Sequence, residues 1–221
     1  MRYDAQSTQT QAQSKALSPE AHRVLRNTYM LLGMTLAFSA LTAFFAVATG
    51  LRLNIFVFFI GAYGFMFLTH KLADSAWGLL SVFGFTGFMG LSLGPILSMY
   101  LGAGMGNVVV SALGMTALVF FGLSAVALVT KKDFSFLGKF LLVGGLVLIA
   151  GIIANLFMGL TNLHLALSAG FVIFASALIL FQTSEIVHGG ETNYIRATVG
   201  LFVAIYNLFV SLLALLGMSN D

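Results

Sequence analysis

Apolar residues in this chain arrive in seven runs long enough to cross a bilayer, and that feature limits the fold more than any other. A spanning helix needs about 20 mostly apolar residues to cover a hydrocarbon core of about 30 Å. Such runs fall at about residues 27–49, 53–69, 76–99, 107–130, 139–158, 163–183 and 192–217. A backbone in lipid must satisfy its own N–H and C=O groups, so the expected fold class is an all-α membrane protein with seven transmembrane helices. Composition agrees: 59% of residues are hydrophobic and 8% charged, against about 45–50% and 25% in a soluble domain.

The net charge of +3 comes from Lys and Arg that flank the apolar runs. Their placement follows the positive-inside rule, and no nucleic-acid partner is implied. With the N-terminus cytoplasmic, nine of the ten (Arg2, Lys15, Arg23, Arg26, Lys71, Lys131, Lys132, Lys139 and Arg196) lie inside and Arg52 alone lies outside. This asymmetry predicts a multi-pass protein with a cytoplasmic N-terminus and an external C-terminus. The absence of Cys excludes disulfides and thiol catalysis.

Residues 1–17 are rich in Gln, Ser and Thr and offer little apolar surface, which predicts a disordered cytoplasmic tail ahead of a transmembrane domain over 18–221. The polar N-terminal stretch does not read as a secretory leader. Ser18, Pro19 and Glu20 read as a helix start: an N-cap, a proline in the first turn and an acid at the positive end of the dipole. In the third run Gly84, Gly87, Gly90 and Gly94 recur three and four apart, the spacing of a helix face suited to close packing in lipid. Gly94-Pro95 is either a hinge or a static kink. Gly144, Gly145 and Gly151 repeat the small-residue signal more weakly in the fifth run.

Polar residues concentrate around the link between the last two runs: Gln182, Glu185, His188, Glu191, Arg196 and Asn207. Ionisable groups at membrane depth are costly, so each is tolerated by snorkelling, by burial in protein or through a use. Gln182, Glu185 and His188 recur every third residue. They form either a gating or proton-sensing cluster against the last helix, or an interfacial helix end in which Gly189 supplies a left-handed cap. Arg196 either pairs with Glu191 or Glu185 or anchors the helix at the interface. Asn207, near mid-membrane, reads as a hydrogen-bonding residue between helices, and Asn155 likewise; His164 reads as interfacial. His188 and Glu191 resemble metal ligands, but two glycines separate them and no second motif completes a shell, so no metal and no cofactor is expected. No nucleophile and base pair, P-loop or HExxH motif is present, which argues against an enzyme.

The run from Gly78 to Phe120 reads GLLS, eight residues, GLSLGPIL, then Gly102, Val108-Val109, Ala112 and TALVF. It closely resembles the signature of the Bax inhibitor-1 family. The closing Tyr206-Asn207-Leu208-Phe209 is similar to a family element, and HGGETNYIRAT with the polar N-terminus is most like bacterial inner-membrane members that modulate the FtsH protease. The resemblance implies a last helix placed centrally among the other six. It also implies a non-enzymatic role, either control of a membrane-anchored AAA+ protease in the inner membrane or, alternatively, a pH-sensitive calcium or proton leak. Leak members carry two aspartates where this chain has Gln182 and Ala204. Neither side chain titrates, which weighs against the leak unless Glu185 substitutes.

Overall fold

The structure, a computed structural model, describes residues 18–219; the expected tail over 1–17 lies outside the described residues. Seven α-helices follow one another: α1 Pro19–Thr49, α2 Ile55–Leu72, α3 Trp77–Gly102, α4 Gly106–Thr130, α5 Leu137–Met158, α6 Thr161–Val187 and α7 Tyr194–Met218. Each is long and apolar enough to span a membrane. Phe44, Phe56, Phe67, Leu118, Leu146 and Phe157 point outward with most of their surface exposed. Such a continuous apolar exterior suits hydrocarbon and not water.

Local chemistry sets the ends. Ser18 caps α1 by accepting the Ala21 N–H at 3.1 Å, with Pro19 in the first turn, as the sequence predicts. Gly50 closes α1 in the left-handed region at φ +66°. The helix runs from Pro19 through Arg23 and Arg26 into the apolar span at 27–49, so its first two turns are polar.

α7 is the most deeply packed element. Leu201, Phe202, Ala204, Leu208 and Leu213 are each at most 1% exposed. α7 packs on α6, α1 and α4, and more lightly on α3 and α2. α5 does not touch it and packs only on α6, so the described neighbours of the last helix are five and not six.

The glycine ridge of α3 works as its spacing predicts, but on two partners. Gly87, Gly90 and Gly94 face α1, where a Cβ on Gly90 would strike Ser39 O and Thr42 Oγ1 and one on Gly94 would lie 2.6 Å from Ala46 Cβ. Gly84 instead faces Phe65 of α2. α3 remains helical through Pro95. Gly145 and Gly151 of α5 meet Phe174 and Leu167 of α6.

Candidate functional site at the polar end of the bundle

Successive spanning helices alternate in direction, which puts the α2–α3 turn, the α4–α5 turn, the α6–α7 link and the start of α1 at one end, hereafter the link end. The last turns of α6 enter it through Gln182, Thr183 and Ser184. Gly189, at φ +77°, takes the left-handed position after the helix, and the N–H groups of Gly190 and Glu191 both reach Glu185 O.

Gln182, Glu185 and His188 do not converge there. Successive steps of three residues rotate the side chain by about 60° around a 3.6-residue helix, so over two steps they fan apart. Gln182 lies flat against α7, where a Cβ on Gly200 would meet its Oε1 at 2.6 Å. The Glu185 carboxylate lies over Gly190 in the link. His188 turns the other way: Nδ1 faces Ser184 O at 2.9 Å, and Nε2 faces Lys131 O at 3.2 Å across the gap to α4.

Two anchors hold the link. On one side, Ser184 Oγ accepts the Phe134 N–H at 3.0 Å, joining His188 in holding the α4–α5 turn. Lys131 closes α4 in the left-handed region at φ +50°. Asp133 in that turn accepts the Ser135 N–H at 2.8 Å. That bond, then the Ser135 hydroxyl, hold its carboxyl below the usual range, and the nearby His188 contributes least.

On the other side, Asn193 caps α7. Its Oδ1 accepts the N–H groups of Ile195 and Arg196, while its Nδ2 donates to Ala73 O at 3.0 Å and Asp74 Oδ1 at 2.7 Å. Glu191 Oε1 receives the Asn193 N–H at 2.8 Å. Arg196 forms an ion pair with Asp74. Of the two alternatives the sequence left, pairing with Glu185 or Glu191 is corrected: the former lies over Gly190 and the latter holds the Asn193 backbone.

Beside Gln182, which the sequence singled out, stand buried hydroxyls that it did not. Thr28 Oγ1, Tyr29 OH, Ser124 Oγ, Gln182 Oε1 and Thr183 Oγ1 are buried with no hydrogen-bond partner. They come from α1, α4 and α6, and Thr198 of α7 adjoins them, its Oγ1 3.4 Å from Thr28 O. Asn207 does not bridge helices through its nitrogen, which donates to Val203 O of its own helix at 2.9 Å. Among the described residues no group of three or more His, Asp or Glu comes together.

A seven-helix bundle with an apolar exterior, one deeply packed helix and a polar end tied by side-chain caps is a polytopic membrane protein of the seven-span type. The chain belongs to the family described as "Inhibitor of apoptosis-promoting Bax1", whose model matches residues 21–221. It is 56% identical over 202 residues to "Modulator of FtsH protease YccA" of Escherichia coli (strain K12), covering 90% of this chain and 91% of that one. A protein of Escherichia coli O6:H1 called "Inner membrane protein YccA" matches to the same extent. "Uncharacterized protein PA2604" of Pseudomonas aeruginosa is 57% identical over 205 residues, covering 91% of each chain.

Proposed function

We propose that this protein is an integral inner-membrane regulator, not an enzyme, that binds a membrane-anchored AAA+ protease of the FtsH type and modulates its degradation of membrane substrates. The observation that carries this reading is the 56% identity, over nine-tenths of the chain, to a protein named as a modulator of that protease. The link end is then the cytoplasmic end, because the basic residues crowd there and Arg52 stands alone at the other. α1 starts at that end, and the polar residues 1–17 precede it in the chain. They are the segment offered to the protease. The anchored surface around Asp74, Lys131 and His188 gives it a fixed base.

The leak reading has less support. Gln182 and Ala204 carry no titratable group, and Ala204 is wholly buried. The Glu185 carboxylate lies over Gly190 in the link, which weighs against its replacing the missing pair. The deciding experiment is proteolysis of a membrane substrate by the purified protease in liposomes, with and without this protein and a form lacking residues 2–17.

A further inference from the structure

At the end opposite the link, α5 and α7 both pack on α6 without touching each other. The space between them is a cavity of about 290 Å³ lined by Asn155, His164, Ser168, Asn207 and Ser211 among apolar residues. A second cavity, of about 420 Å³, adjoins it through His164 and Ala214 and reaches the α3–α4 turn. Five polar side chains from three helices therefore face one space inside the span, although each is costly against lipid.

Two of their donors are turned to their own helices. Ser168 Oγ donates to His164 O at 3.0 Å and Asn207 Nδ2 to Val203 O, both on their own helices. What these residues leave for a ligand is a mixed set of donors and acceptors, among them the Asn155 amide, the His164 ring and the Ser211 hydroxyl. The Asn155 Oδ1 is buried with no hydrogen-bond partner among the described residues, and Asn155 lines the cavity. A space of this volume, with several polar partners, holds several waters at about 30 Å³ each. Further along the same seam Ala175, Ile179 and Ala204 are wholly buried. Their side chains carry no polar atom, and they lie along α6 and α7 between the cavity-lining residues and Gln182.

We propose that this cleft is a hydrated vestibule, open at the end carrying the α5–α6 turn, that admits water and small polar solutes as far as Asn207 and is sealed beyond it. The proposal does not depend on the protease reading.

The chain has no Cys, so single cysteines report directly. A thiol reacts as the thiolate, which needs water around it. The test uses the full chain in sealed proteoliposomes with a charged, membrane-impermeant thiol reagent. Asn162→Cys in the exposed α6 start marks the open side, and Leu208→Cys marks the dry core. Ser211→Cys and Asn207→Cys should label from the same side as Asn162→Cys, the deeper one more slowly, while Leu208→Cys takes no label. Ala214→Trp, at the junction of the two cavities, should abolish labelling of Asn207→Cys and spare Asn162→Cys. Ser211→Cys, nearly isosteric, carries the test if Asn207→Cys does not fold. Labelling of Asn162→Cys with none at Ser211→Cys, or labelling of the deep sites from the opposite side, overturns the proposal.

Discussion

Arg196, in the first turn of α7, is paired with Asp74 in the turn between α2 and α3. A cation at a helix N-terminus opposes the helix dipole. Asp74 offsets both the guanidinium and the positive helix end, and so ties the start of the most buried helix to a peripheral hairpin. The pair is partly solvated, with 38% and 70% of the two side chains exposed, and exposed pairs contribute about 0–1 kcal/mol.

Asn193 is therefore expected to matter more than the ion pair. Asn193→Ala removes an N-cap worth about 1 kcal/mol and two bonds to the α2–α3 turn. Thermal unfolding in detergent should fall further for Asn193→Ala than for Asp74→Ala. Equal or reversed losses would show that the ion pair, not the cap, holds the turn.

Gly90 sets how closely α1 and α3 approach. Gly90→Ala places a methyl against Ser39 O and Thr42 Oγ1 and should cost about 1–3 kcal/mol, the range for overpacking. Gly33→Ala, with nothing within 4 Å of its Cβ, should be neutral or gain up to about 1 kcal/mol from helix propensity. Unfolding of the two variants side by side checks this, and equal stability would contradict the packing.

Ser184 holds the α4–α5 turn. Ser184→Ala leaves the Phe134 N–H without its acceptor, a loss of about 1 kcal/mol. Amide exchange at Phe134 should quicken while α7 is unaffected. Unchanged exchange there would mean that the turn is held by other contacts.

Asp133 gives that turn an acid-sensitive element. Its carboxyl is held below the usual value, so its contribution is fully present above pH about 4 and is lost as pH falls through the lowered value. The stability gap between the native chain and Asp133→Asn should be constant near neutral pH and close on acidification. A gap that widens in acid would contradict the assignment.

Seven helices were legible because lipid imposes a length and a polarity on each span that few other folds share. The α3 glycines were legible for a related reason, since small residues at helical spacing have few uses in an apolar span except close approach. Arg196 was visible, but its partner was not: Asp74 is 122 residues distant and belongs to a turn that only the packing brings near. Asn193 was legible in principle, as an Asn directly before an apolar helix is an N-cap signal. The buried hydroxyls of Thr28, Ser124 and Thr183 gave no such signal. Ser and Thr in spans commonly bond to carbonyls of their own helix, and sequence does not distinguish those from unpartnered ones.

Degradation of a membrane substrate by the AAA+ protease, co-reconstituted in liposomes with this protein, tests the central claim most directly. The account predicts that the full chain slows degradation and that a form lacking residues 2–17, equally folded and inserted, does not. Degradation at the same rate with the full chain, the truncated chain and neither would contradict it.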